Sequence, residues 1–216
     1  MASKGYFITF EGGEGAGKST QIKLLAESLM ARGYAVELTR QPGGTTYGKR
    51  IRDLILEPAR EEVLSSRAEL FLYLADRAHH VEYLVRPAIE AGKVVICDRY
   101  TDSTLAYQGY GRGLNVEQLD MLNQAATNAL VPDLTFWLDL DPELGQARIR
   151  GRGVLDRLES EDLAFHRAVR QGYASLAAQE PERWVKIDAR EPVAVIQKFI
   201  LETSETSMGR FAQLKQ

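Results

Sequence analysis

An α/β fold with a parallel central sheet flanked by helices is predicted by three features of the sequence. A glycine-rich loop at residues 12–20 lies between an apolar strand and an amphipathic helix. Strand and helix patterns then alternate along the chain, with the short returns that right-handed crossovers between parallel strands require. Finally, the segments at 6–10 and 93–98 are continuous apolar runs, the pattern of strands buried on both faces. With 216 residues the chain is long enough to bury a sizeable core as a single domain, 1–216.

The elements follow in order. Strand 6–10 leads through the loop into a helix from about Lys18 to Arg32, with Ile22, Leu25, Leu29 and Met30 on its apolar face. Residues 34–39 form a second strand, then Pro42 and Gly43 mark a turn at its C-terminal end. A helix covers 50–56 and stops near Pro58. A longer helical pattern spans 65–91, bent near His79 and His80 and again at Pro87, with Leu70, Phe71, Leu74, Leu84, Val85 and Ile89 as its apolar face. The third strand, 93–98, is followed by a stretch at 100–110 dense in tyrosine and short polar residues, suited to a small-molecule pocket. Helix 116–130, strand 134–140 and a helix opened by Asp141-Pro142-Glu143 come next. Residues 148–159 carry four arginines among glycines, a composition suited to a mobile cationic lid. A helix over 161–179, a strand over 184–188 and a helix over 192–202 complete the sheet and its cover. The polar tail, 203–216, is expected to be partly frayed.

Bulk composition excludes several classes. A net charge of −3 gives no general attraction to nucleic acid or to anionic membrane surfaces. Cys97 is the sole cysteine, so no internal disulfide forms. No apolar run is long enough to span a bilayer and the N-terminus shows no apolar signal region, so a soluble cytoplasmic enzyme is expected.

The chemistry concentrates where strands end. Gly12 and Gly17-Lys18-Ser19 satisfy the phosphate-loop pattern in the required strand–loop–helix setting. Such a loop turns backbone N–H groups of Gly12, Gly13, Glu14, Gly15, Ala16, Gly17, Lys18, Ser19 and Thr20 toward a polyphosphate such as ATP. Lys18 supplies a point charge to the β- and γ-phosphates, and the Ser19 hydroxyl a ligand for Mg2+. Asp98, closing the third strand, suits the Mg2+ shell; Arg99 suits bidentate capture of a phosphate, although the two could instead form a structural ion pair. Tyr73 and Arg77 are helical neighbours, either a packed ring under a solvated arginine or a ring and a donor for a nucleobase.

The order of these motifs resembles one family, thymidylate kinase. The matching pieces are residues 12–20, Arg40-Gln41-Pro42-Gly43-Gly44-Thr45, Asp98-Arg99-Tyr100 continuing to Ala106-Tyr107-Gln108-Gly109, and residues 152–159. The resemblance implies the three-layer P-loop nucleoside monophosphate kinase fold with a five-stranded parallel sheet, and phosphorylation of dTMP to dTDP by ATP with Mg2+ as cofactor, serving dTTP biosynthesis. It further implies that Arg99 binds the dTMP phosphate with Arg52 as a second arginine, and that Arg77 reads thymine beside Thr104 and Gln108. Tyr73 stands where the family stacks a phenylalanine on the base, and Tyr107 where it crowds the sugar C2′. Glu14 is followed by glycine rather than arginine. This resembles the bacterial class in which a lid arginine, here Arg150, Arg152 or Arg157, supplies the missing charge, while Glu14 faces the sugar 3′-hydroxyl. A homodimer is also implied. Gln41 departs from the family's usual glutamate, which removes a carboxylate near the phosphates.

Overall fold

The computed structural model describes residues 5–57, 64–150 and 155–213. Five parallel strands form one sheet: β1 (Tyr6–Glu11), β2 (Val36–Arg40), β3 (Val94–Asp98), β4 (Leu134–Asp139) and β5 (Trp184–Asp188), in the order β2-β3-β1-β4-β5. β1 lies at the centre, paired with β3 from Tyr6↔Val94 to Phe10↔Asp98 and with β4 from Ile8↔Leu134 to Glu11↔Trp137. The glycine loop therefore emerges between two neighbours, at the C-terminal edge where open α/β sheets bind ligands. The loops after β2 and β3 open onto the same edge.

Helices cover both faces: α1 (Lys18–Met30), α2 (Thr46–Leu56), α3 (Ser66–His80), α4 (Arg86–Glu90), α5 (Thr101–Thr104), α6 (Val116–Thr127), α7 (Pro142–Ile149), α8 (Leu163–Gln179) and α9 (Val193–Gln213). One core layer packs α1 and α9 on Tyr6, Ile8, Phe10, Ile96, Phe136 and Leu138. On the other face, Tyr107, Trp137, Phe165, Tyr173 and Trp184 gather beneath the pocket region. The five expected strands are all present, and α1 starts at Lys18 as expected.

Differences from the sequence reading have local causes. Met30 and Phe71, assigned to apolar faces, are exposed; Ile22, Leu25, Ala26 and Leu29 bury the inner face of α1 instead. The second strand starts at Val36, because Gly33 in a left-handed conformation closes α1 and turns the chain. The expected bend after His80 is a wide helical turn, Val81–Val85, leading directly into α4. The tyrosine-rich stretch is helical too: α5 runs into a second wide turn, Leu105–Gly111, a geometry common at functional sites.

The tail is the main correction. Instead of ending at 202, the last helix continues to Gln213. Leu201, Ser204 and Met208 follow one another at helical spacing and are buried, with Phe211 half-buried behind them. The Tyr6 hydroxyl meets Ser207 Oγ at 2.6 Å, and the Phe211 ring stands edge-on to Tyr6 at 5.1 Å. Arg32 pairs with Glu205 at 2.7 Å. The polar composition that suggested fraying belongs to the outer face. Met208→Ala is therefore expected to cost about 2 kcal/mol of unfolding free energy, measured by urea denaturation, where a frayed tail would give no change.

Candidate functional site

The loop after β1 is shaped by backbone, not by side chains. Gly12 has φ 134° and a Cβ there would lie 2.4 Å from the Leu138 carbonyl oxygen; Gly17, at φ 90°, turns the chain into α1. Lys18 is buried, and its Nζ donates to the carbonyl oxygens of Gly12 (3.0 Å) and Gly13 (2.9 Å). Burial, and then the charge of Arg99, pull its pKa below the usual lysine value. Gly15, Ala16, Ser19 and Thr20 line a cavity of about 230 Å³ with Arg40, Asp98 and Arg99. Within it, Asp98 Oδ1 is buried and has no hydrogen-bond partner among the described residues. A buried bare carboxylate oxygen in the same cavity as the Ser19 hydroxyl fits a hard cation held mainly by phosphate and water oxygens. No cluster of three acidic, His or Cys ligands occurs among the described residues.

A second cavity of about 110 Å³ adjoins it, lined by Tyr73, Arg77, Ser103, Thr104, Tyr107, Gln108, Asp156 and Leu158. Glu14, Gln41, Arg52, Arg99 and Glu159 line both, so this group is the shared wall. Arg52 Nη1 donates to the Pro42 carbonyl oxygen at 3.2 Å, and burial followed by the nearby Arg40 charge lowers its pKa.

Arg99 is the centre of that wall. Its backbone is left-handed, φ 69°, a strained state for a side chain this large. Nη2 meets Glu14 Oε1 at 2.5 Å, Nη1 donates to the Gly12 carbonyl oxygen at 3.0 Å, and the guanidinium lies 4.9 Å from the Tyr107 ring centroid. The Tyr107 hydroxyl donates to the same Glu14 oxygen at 2.9 Å. Burial alone would raise the Glu14 pKa, but Arg99, Lys18 and the Tyr107 hydroxyl overcome it and pull the value down to about 2. The Asp98-Arg99 alternative is thus resolved: the ion-pair partner of Arg99 is Glu14.

Arg77 is fully enclosed. Nε donates to Gln41 Oε1 (2.9 Å), Nη1 to Thr104 Oγ1 and Asn123 Oδ1 (2.7 Å each), and Nη2 to the Tyr100 carbonyl oxygen (3.0 Å). Four of the five guanidinium N–H groups are engaged by described residues, leaving one on Nη2. The Arg77 contact explains what Gln41 does. Arginine only donates, so the Gln41 amide must turn its oxygen to Arg77 and its nitrogen to His80 Nδ1, 2.7 Å away. His80 then accepts at Nδ1 and donates from Nε2 to Thr39 Oγ1 at 2.5 Å. Burial and the Arg77 charge lower the His80 pKa to about 4, so the ring is neutral at pH 7. Gln108 Nε2 donates to Glu69 Oε1 at 2.8 Å, leaving its carbonyl oxygen as the acceptor it can offer the cavity. Burial, with Glu69 nearby, raises the Tyr73 pKa and keeps its phenol neutral.

Of the three lid arginines expected to serve the phosphates, Arg157 is engaged elsewhere. Arg157 does not reach the phosphate loop: Nη2 meets the fully buried Glu69 at 2.5 Å and Nε donates to the Ile55 carbonyl oxygen at 2.8 Å. Residues 155–159 are thereby strapped to α2 and α3. Arg150 is exposed and lines neither cavity, and Arg152 lies outside the described residues. Sequence reasoning missed Asn123, Glu69 and Tyr173 as site residues. Asn123 left one signal, a polar side chain on the inner stripe of α6 beside Leu119.

The fold and this pair of cavities define a P-loop phosphotransferase with a second cavity beside the phosphate loop. Residues 10–200 match the sequence model of the thymidylate kinase family. Among relatives, a thymidylate kinase of a Synechococcus species is 58% identical over 183 residues, covering 85% of this chain and 87% of that protein. One from an Exiguobacterium species is 50% identical, covering 92% and 93%. The crystal structure of thymidylate kinase from Ehrlichia chaffeensis superposes with a TM-score of 0.76 at 33% identity, covering 94% of this chain and 99% of that one. The chain belongs to the thymidylate kinase family and is an ATP-dependent nucleoside monophosphate kinase.

The Glu14–Arg99 pair makes stability pH-dependent with a defined sign. A carboxyl lowered from 4.5 to about 2 contributes stability above pH 4.5 that is lost as pH falls toward 2. Thermal melts should find native protein more stable than Glu14→Gln by about 3 kcal/mol near pH 6, the gap closing by pH 2. A pH-independent gap would mean that the pair does not set this pKa.

Proposed function

We propose a division of labour for the reaction that family membership gives the chain, transfer of the ATP γ-phosphoryl group to dTMP. The supporting observation is the shared wall: Arg99, Arg52 and Glu14 border both the phosphate-loop cavity and the cavity containing Arg77. ATP phosphates lie along residues 12–20, with Lys18 on the β- and γ-phosphates. Arg99 and Arg52 hold the acceptor phosphate, placing its oxygen next to the donor without a general base, since that oxygen is already anionic. Glu11 and Glu14 fit this: Glu11 is fully buried and Glu14 is tied to Arg99, so neither is disposed to deprotonate a hydroxyl. Ser19 and Asp98 hold Mg2+, which when bound neutralises charge on the phosphate oxygens. Of the lid residues 148–159, Asp156, Leu158 and Glu159 border the acceptor cavity and help to shut water out, and the lid's cationic charge is left to Arg150 or Arg152.

In the nucleoside cavity, Tyr73 stacks on the base, Tyr107 limits the sugar's 2′ side, and Thr104 and Gln108 complete the base edge around Arg77. An Nη2 donor edge attracts the thymine O4 acceptor and repels the cytosine amino group. Thus dCMP should be rejected by about 10^4, whereas dUMP, lacking only a methyl worth about 1–3 kcal/mol, should remain a detectable substrate. Equal kcat/KM for dTMP and dCMP would remove Arg77 from base reading. Arg99→Ala is expected to lower kcat by about 10^3, and Lys18→Ala to do so with weaker ATP binding; near-native turnover of either would overturn its role.

A cytoplasmic homodimer is the proposed working form. No helix among the described residues is long and apolar enough to cross a membrane. Phe71 on α3 and Met121 on α6 are 58% and 62% exposed, and these helices pack side by side. Burying such side chains against a second copy removes an exposed apolar patch. Phe71→Glu should shift the light-scattering mass from dimer to monomer; an unchanged mass would place the interface elsewhere.

A further inference from the structure

Glu11 ends β1 immediately before the phosphate loop, and no role in substrate binding uses it. Its side chain is completely buried, yet both oxygens are occupied. Oε1 accepts from the Tyr100 backbone N–H at 2.8 Å. Oε2 accepts from the Ser103 hydroxyl at 2.6 Å and from the Tyr173 hydroxyl at 2.9 Å. Each of these donors leads back to Arg99. Tyr100 N–H belongs to the peptide that follows Arg99, and Arg99 N–H is held from the other side by the Phe10 carbonyl oxygen at 3.0 Å. The Ser103 and Tyr173 oxygens lie 3.4 and 3.2 Å from Arg99 Nη1.

We propose that Glu11 is a positioning residue for Arg99, clamping its left-handed backbone through Tyr100 and turning the lone pairs of two hydroxyls toward its guanidinium. Each hydroxyl has one proton. While Glu11 accepts both protons, the oxygens can only present lone pairs to Arg99. The two hydroxyl oxygens also lie 2.9 Å apart, so a proton on Glu11 Oε2 would turn one hydroxyl from the carboxylate toward the other and remove the negative charge that the pair relays to Arg99. A proton on Oε1 would oppose the Tyr100 N–H. Either protonated form therefore loosens the arginine. Glu14, on the opposite side, supplies charge to Arg99 but touches neither the following peptide nor these hydroxyls.

The surroundings place this transition within a measurable range. Burial raises the Glu11 pKa, the Asp102 carboxylate of α5 adds to it, and Ser103, Arg99 and Tyr173 act against it, leaving a value of about 7. Asp102 is itself paired with Arg183 at 2.8 Å. Lys18 of α1, Arg77 of α3 and Cys97 of β3 are the other titratable groups within electrostatic reach. The clamp is complete above pH 7 and weakens as pH falls through it.

The inference rests on Arg99 binding the acceptor phosphate, and a mutant cycle separates the two. Glu11→Gln, checked for folding by thermal melt, should lower kcat/KM for dTMP roughly 10- to 100-fold at pH 8. In an Arg99→Ala background the same change should cost nothing further. The ratio of native to Glu11→Gln activity should shrink toward one as pH falls from 8 to 6, a ratio in which titration of the substrate phosphates cancels. Should Glu11→Gln fail to fold, Tyr173→Phe, which removes one hydroxyl from the relay, takes its place in the cycle with a smaller loss expected. A loss that adds fully to that of Arg99→Ala, or a ratio independent of pH, would overturn the clamp. Full turnover by Arg99→Ala alone would overturn the phosphate reading, and the clamp with it.

Discussion

Arg99 sits between two carboxylates, and the site depends on that arrangement. Glu14 pairs with its guanidinium directly, while Glu11 meets it only through hydroxyls and the next peptide. The two acids are three residues apart in sequence, yet their pKa values are pushed to about 2 and about 7. Environment makes the difference: Glu14 has Arg99, Lys18 and a phenol, whereas Glu11 has neutral donors and a neighbouring carboxylate. The phosphate loop joins the two, so moving Arg99 would disturb the loop's Gly12 carbonyl, the Glu14 charge and the wall between the cavities together.

A second network holds the cavity beside the phosphate loop. Arg77 is buried among Gln41, Thr104, Asn123 and the Tyr100 carbonyl, all neutral acceptors, while Glu69 anchors Gln108 and Arg157. Enclosing a guanidinium is costly unless its N–H groups are paired, and here nearly all are. What remains is one directed edge, which suits reading a carbonyl better than a freely moving side chain would. Tyr100 connects the halves: its N–H goes to Glu11 and its carbonyl to Arg77.

Much of this was legible from residues whose physics is local. The loop at 12–20 announced itself because glycine spacing reports backbone geometry, and apolar periodicity located all five strands. The sequence reading faltered where partners are distant in the chain. Tyr173 reaches Glu11 across 162 positions, and no local pattern marks a phenol for that purpose. Arg157 read as a free lid cation because nothing local marks its partner Glu69, 88 positions away. Helix α9 was cut short because its polar outer face outweighed the stripe through Ser204 and Met208. Gln41 looked like a lost carboxylate, but its amide has one oxygen for Arg77 and one N–H group for His80, which only the folded network displays.

The central claim is that the shared wall at Arg99 joins a phosphate donor to a phosphate acceptor. Initial rates of ADP formation from ATP and Mg2+, with dTMP, with thymidine and with no acceptor, test it most directly. The account predicts rapid ADP release with dTMP and only background with thymidine, which brings the base and sugar but no phosphate for Arg99. Comparable rates with dTMP and thymidine, or a rate indifferent to any acceptor, would contradict it.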